Sequence, residues 1–238
     1  APGGYQASRD RQRKPFIFMN AASLPRDLDT MVHEAGHAFH YMLCRHDDLV
    51  WHRGAPLEFA EVASMSMESL AYPYLDEFYS AAECKRAIRK HLEGVVSTLP
   101  WVATIDAFQH WIYLHPEHTQ NERTSYWLSL EDRFGAGADW DGLVAEHEAM
   151  WHRQLHPFEV PFYYVEYGIA QLGALQMWLT YRNNPTEALA AYKKGLALGA
   201  SKPLPQLFET SGLKFDFSVD MVGTLMQAVE EELDNNTE

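Results

Sequence analysis

A mainly α fold with a small β-strand element near the N-terminus is what this sequence predicts, and three observations predict it. Apolar residues recur at helical intervals along nearly the whole chain from Asp27 onward; Pro, Gly and Asn divide that pattern into segments; and one short apolar run, Pro15-Phe16-Ile17-Phe18-Met19-Asn20, has strand character. The 238 residues suffice for one substantial core, and 47% hydrophobic with 22% charged residues is the balance of a globular protein rather than a disordered one.

The chain opens on Ala1-Pro2-Gly3-Gly4-Tyr5, without Met, and this segment reads as the interior of a longer polypeptide. Arg9, Arg11, Arg13 and Lys14 form a basic loop ahead of the strand. From Asp27 to Leu43, Met31, Ala35, Ala38, Phe39 and Met42 fall at helical spacing, with acidic residues in the first turn where the helix dipole favours them. Leu57 to Ala71 is a second helix, stopped near Pro73. Further helices are predicted at about 75–96, 101–114, 121–134, 140–151, 166–182, 185–198 and 218–233, each bounded by Pro, Gly or Asn. No internal repeat and no low-complexity linker interrupts them, so residues 1–238 are expected to form one mostly helical domain.

Composition excludes several classes of function. A formal net charge of -14 argues against nucleic acid as a partner, because affinity for a phosphate backbone comes from clustered Lys and Arg. The second compact basic group, Lys85-Arg86-Arg89-Lys90, is spaced as one solvated helix face. No run of about 18 apolar residues free of charge occurs, and Ala1 to Lys14 lacks the apolar stretch of a secretory leader. These features predict a cytoplasmic protein with no membrane partner. Cys44 and Cys84 cannot make a disulfide framework and are expected to be small core residues.

His33-Glu34-Ala35-Gly36-His37 sets two imidazoles four residues apart on a predicted helix, so both reach one Zn²⁺ from the same face. Glu34 lies about 100° away around the helix, placed to act on water at the metal rather than on the metal itself. The bare pattern also occurs on polar helix edges, and a second acidic helix gives it weight. Catalytic zinc sites use three protein ligands and keep one position open. Glu58, Glu61 and Glu68 stand on the 57–71 helix; Glu61 and Glu68, seven apart, share a face, and Ala60, Ala63 and Ser64 permit close packing on the first helix. Glu61 is the preferred third ligand, Glu68 is an outer partner of the site or a solvated charge, and Glu58 is a first-turn charge. His40, three residues after His37, is either an outer partner or a packed side chain. His46, His52, His91, His110, His115, His118, His147 and His152 have no comparable partner pattern and are expected to be structural or solvated.

The run HEAGHAFH at His33 to His40, the segment Phe59-Ala60-Glu61-Val62-Ala63-Ser64-Met65 and the tyrosine-rich stretch Pro161-Phe162-Tyr163-Tyr164-Val165-Glu166-Tyr167-Gly168 stand in one order along the chain. With Gly3-Gly4-Tyr5 and Pro15 to Asn20, they make the sequence resemble the thimet oligopeptidase and oligoendopeptidase F family of zinc metallopeptidases over most of its length. The resemblance implies a zincin-type helical catalytic domain with one zinc ion per chain on His33, His37 and Glu61, and Glu34 as general base. It implies hydrolysis of short or medium-length oligopeptides, with the strand around Phe16 to Asn20 pairing with the extended substrate and Gly4 and Tyr5 beside it. His156 and Tyr167 would stabilise the reacting oxygen, Tyr164 would bind substrate, and a helical N-terminal half or a complementing chain would complete the protein. Taken without the resemblance, the tyrosines are aromatic packing ahead of a helix. A membrane-bound ATP-dependent protease, which shares HEAGHA, would carry a GxxxxGK[ST] loop and an aspartate ligand. A non-catalytic, zinc-stabilised peptide-binding domain would have no use for Glu34.

Overall fold

A computed structural model of the chain describes residues 3–236, so the reading placed on Ala1 and Pro2 lies outside the described residues. The chain begins with an antiparallel hairpin of β1 (Gly3–Arg9) and β2 (Lys14–Asn20), in which Gly3 pairs with Asn20, Tyr5 with Phe18 and Arg9 with Lys14. The helices follow as α1 (Pro25–Cys44), α2 (Leu57–Leu70), α3 (Ala81–Leu114), α4 (Gln120–Phe134), α5 (Val144–Glu148), α6 (His156–Glu159), α7 (Val165–Asn183), α8 (Pro185–Leu196), α9 (Leu204–Thr210) and α10 (Val219–Asn235). Short 3-10 helices cover Val50–Arg53, Tyr72–Glu77 and Met150–Arg153. Among the described residues no helix is long and apolar enough to cross a membrane.

The mainly α expectation holds, with four local corrections. The sequence predicts a loop from Arg9 to Lys14 and only one strand, whereas the turn is confined to Asp10–Arg13 and Gly3–Arg9 is a strand as well. That segment, GGYQASR, has little strand propensity of its own, and pairing along its full length with β2 supplies what propensity lacks. The helices expected at 75–96 and 101–114 are one helix, α3, with Pro100 inside it. Proline removes one backbone donor, and the carbonyl it leaves without that partner belongs to the exposed residue Val96. The helix expected at 140–151 shortens to α5 and a 3-10 turn, after Gly142 enters the left-handed region at φ 79°. Helices α6 and α9, four and seven residues long, are too short for periodicity to reveal.

The chain separates into two compact units, one made of the segment up to Lys90 with Ile169 onward, the other of His91–Gly168. In the first, Pro25 opens α1, and the Asp27 carboxylate accepts from the Leu24 and Ala22 amides at 2.9 and 2.8 Å. Those bonds hold the Asp27 carboxyl below its ordinary pKa. The hairpin is tied to the same helix, since the Tyr41 hydroxyl donates to Asp10 at 3.4 Å and Arg45 donates to the Arg13 carbonyl at 3.4 Å.

Helix α2 buries Phe59, Val62, Ala63 and Leu70 against Met177, Tyr181, Tyr192, Leu196, Leu207 and Phe208 from α7, α8 and α9. The Tyr192 hydroxyl, deep in this core, donates to the Ala63 carbonyl at 2.7 Å, and burial pushes its pKa up. On its other side α2 meets α1 almost backbone to backbone. A Cβ added at Gly36 would lie 2.5 Å from Ser64 Cα and 2.8 Å from the Ala63 oxygen, so glycine is the only residue this crossing admits. Cys44 is a buried core thiol, as expected, with burial raising its pKa to about 11.

The second unit packs Ile105, Phe108, Trp127 and Leu130, with Trp101, Trp151 and Tyr164 around them. The Trp127 indole N–H donates to the His147 carbonyl at 3.0 Å, and Trp101 and Trp127 meet edge to face with centroids 5.9 Å apart.

Candidate metal centre

Helix α1 sets His33 and His37 one turn apart, with ring centroids separated by 5.0 Å and planes nearly perpendicular. Because Gly36 lets α2 approach so closely, Glu61 reaches both rings: its Oε2 is 3.4 Å from His33 Nε2 and its Oε1 is 3.8 Å from His37 Nε2. One donor atom from each of the three residues lies within 4.8 Å of the others. Two ligands at about 2.1 Å from a tetrahedral zinc stand about 3.4 Å apart, which the Glu61–His33 separation matches and the 3.8 Å from Glu61 to His37 approaches. Glu61 is steadied by the Ser64 hydroxyl, which donates to its Oε2 at 3.1 Å.

Glu68 resolves one of the alternatives left by the sequence. Its Oε1 is 2.6 Å from His33 Nδ1, so it is a partner of the site and not a solvated charge. A carboxylate can only accept here, which puts the proton of neutral His33 on Nδ1 and leaves Nε2 free to hold a cation. The Ala60 backbone similarly takes a hydrogen bond from His37. Glu58 stays in the first turn of α2, as expected. His40 is packed: it is 4% exposed, meets Phe59 edge to face at 5.7 Å, and is held at a pKa of about 4 by burial and then by the neighbouring His37.

The electrostatics divide the two histidines. Burial is the largest influence on His33 and pulls its pKa down, but the hydrogen bond and charge of Glu68, with the charges of Glu61 and Glu34, outweigh it and raise the value. His37 is lowered to about 4 by burial and then by His33, so it is neutral near pH 7 with a lone pair available. Burial raises the Glu61 carboxyl against the opposing pull of His33. Glu34 is buried on the neighbouring face of α1, and its charge is felt at both His33 and Glu61. Three carboxylates around two imidazoles leave a deficit of positive charge, which a divalent cation would supply.

Glu68→Ala should therefore weaken metal affinity by roughly 10- to 100-fold, through loss of the group that orients His33. Competition against a chromophoric chelator would measure it, and an unchanged affinity would deprive Glu68 of this role.

The remaining predicted residues lie in two other places. Gly4 and Tyr5 are in β1: Gly4 sits where a Cβ would meet Thr30 Cγ2 at 2.9 Å, and the exposed Tyr5 ring lies 5.6 Å from Phe18 across the hairpin. In the second unit His156, Tyr164 and Tyr167 come together, with His156 4.9 Å from Tyr164 and 5.8 Å from Tyr167 between centroids. Burial raises the pKa of the Tyr164 hydroxyl. Sequence reasoning missed Ser64 as the partner of Glu61, although its spacing of three on a helix was a usable signal. It also missed Trp101 and Gln154, whose side chains meet at 3.2 Å from positions 53 residues apart, and no local pattern announces such a pair.

Comparison with known proteins agrees with this architecture. Residues 2–226 match the sequence profile of peptidase family M3. An oligoendopeptidase F homolog of Borreliella burgdorferi is 26% identical over 202 residues, and oligopeptidase PepF of Bacillus subtilis is 26% identical over 233 residues. These alignments cover 82% and 94% of this chain but 34% of each relative, so the chain spans about a third of their length. A solved structure of PZ peptidase A with an inhibitor superposes with a TM-score of 0.88 and 32% identity, over 99% of this chain and 42% of that one. Profile, relatives and fold agree, and the chain belongs to peptidase family M3.

Proposed function

We propose that this chain is the catalytic portion of a zinc-dependent oligopeptidase that hydrolyses peptide bonds in short or medium-length oligopeptides. The observation that carries the reading is the convergence of His33, His37 and Glu61, with Glu68 fixing the tautomer of His33. His33, His37 and Glu61 would hold a zinc ion, which would supply Lewis-acid polarisation of the scissile carbonyl and a lowered pKa for water at the site. Glu34 takes a proton from the attacking water and passes it to the leaving amine. By the family resemblance, the Tyr167 hydroxyl and His156 donate to the oxygen that gains charge, each worth about 3 to 4 kcal/mol when well placed. Backbone groups of β2 pair with the extended peptide, Gly4, Tyr5 and Tyr164 contribute to its binding, and an upstream helical half or a complementing chain restricts access to short substrates.

The test is cleavage of a quenched fluorogenic oligopeptide by this chain joined to its upstream sequence. Activity should vanish on chelation and return on adding zinc; cleavage indifferent to chelator would sink the reading. Peptide that is bound and never cut would identify a zinc-stabilised binding domain instead. In the same assay Tyr167→Phe should lower kcat roughly 100-fold with little change in KM, because only the hydroxyl is lost. An unchanged kcat would return Tyr167 to aromatic packing.

A further inference from the structure

Three side chains of the second unit form a relay that fixes where one proton sits. Trp101 Nε1 lies 3.2 Å from Gln154 Oε1, and Gln154 Nε2 is in hydrogen-bond contact with His156 Nδ1. An indole nitrogen offers a donor and no acceptor, so the edge of Gln154 that faces Trp101 must be the carbonyl oxygen. Turning the amide over would set N–H against N–H. The amide therefore presents its NH₂ to His156, and a ring nitrogen that accepts a hydrogen bond carries no proton. The Tyr164 hydroxyl also takes a hydrogen bond from Trp101. That second acceptor leaves the conclusion intact, because the indole still has only a donor to give.

We propose that Gln154 is a positioning residue that holds His156 with its proton on Nε2, so that the ring meets substrate as a hydrogen-bond donor. The base of the relay is rigid, since Trp101 stands edge-on to the fully buried Trp127, and Arg153 lies over the Trp101 ring. Burial lowers the pKa of His156, with Glu159 opposing, and Tyr163, Tyr164 and Tyr167 surround the ring. The ring is thus neutral near pH 7, the state in which the choice of tautomer matters. With the opposite tautomer, Nε2 would turn a lone pair toward an oxygen that is gaining negative charge. The inference rests on the reading of His156 as a donor to the reacting oxygen.

Long-range proton–nitrogen correlation NMR on this chain labelled at histidine tests the tautomer, with His156 assigned by the signals missing from His156→Gln. Near neutral pH the parent should show Nε2 protonated and Nδ1 bare. Gln154→Glu places an acceptor in the same position and should reverse the two nitrogens once the ring is neutral, and Trp101→Phe, which frees the amide to turn, should give a mixture. A parent with its proton on Nδ1, or a Gln154→Glu ring that keeps the parent tautomer, overturns the proposal.

Kinetics on the chain joined to its upstream sequence supply the functional arm. In Gln154→Glu a doubly protonated His156 still donates from Nε2, so the ratio of variant to parent kcat should fall as pH rises and the ring deprotonates, by about 100-fold at most. In a His156→Ala background the same change should have no further effect. A ratio independent of pH, or a loss that persists without His156, also overturns the proposal. Full kcat in His156→Ala would instead remove His156 from the reaction while the NMR result still decides the tautomer.

Discussion

Glu34→Gln is expected to keep its metal and lose nearly all peptide hydrolysis, with kcat falling on the order of 10³-fold or more. The amide preserves the shape of the side chain in its buried place on α1 but cannot accept the proton of an attacking water. General bases typically contribute about 10²- to 10⁴-fold, and the absence of a basic group in the variant should expose most of that range. Its effect on the cation should be small, because Glu34 is absent from the converging set His33, His37 and Glu61. The paired measurement is zinc content per chain beside turnover of a fluorogenic peptide. A variant that retains a tenth of the parent kcat at full occupancy would show that the base is elsewhere.

Glu61→Ala should behave in the opposite way, losing the cation first and activity as a consequence. One of the three proposed ligands disappears, and affinity should drop on the order of 10³-fold or more, beyond the effect of removing an orienting group such as Glu68. Full occupancy in Glu61→Ala would force the choice of another carboxylate. Glu68 is already engaged with His33 Nδ1 at 2.6 Å, so it could serve only by abandoning that bond. The pH dependence follows from the same groups. In the metal-free chain the pKa of His33 is raised, so metal uptake releases its proton and weakens as pH falls through that value. His37, at about 4, begins to compete only in strong acid. Zinc titrations across pH should therefore show His33 governing the first loss of affinity.

The convergence of His33, His37 and Glu61 was legible in the sequence because its geometry is local. A spacing of four on a helix puts His33 and His37 on one face whatever surrounds them, and Glu61 announces itself by standing among small residues on the next helix. The strand β1, the continuity of α3 through Pro100 and the engagement of Glu68 with His33 depended on what each segment meets in space. Seven-residue spacing shows that Glu61 and Glu68 share a face, but it cannot say which ring nitrogen each one reaches. Tyr164, Tyr167 and His156 were singled out by the family resemblance and not by spacing; the three rings do meet, but their order along the chain says nothing about the tautomer of His156.

The crossing at Gly36 and Ser64 bears on how a divalent ion held at this site would come and go. Since main chain abuts main chain there, the gap between the histidine pair and Glu61 is set by the packing of α1 on α2. The core around Phe59, Val62 and Tyr192 anchors α2 against α7, α8 and α9, and on its other side the Gly36 crossing and the His40–Phe59 ring contact seat α1. A small zinc finger collapses when its ion is removed, because metal binding and folding are one transition. Here the cage should outlast its occupant, so that one divalent ion can be exchanged for another in the folded state. Ligand type alone discriminates weakly among such ions, and the metal found in a preparation should then follow the supply around the protein.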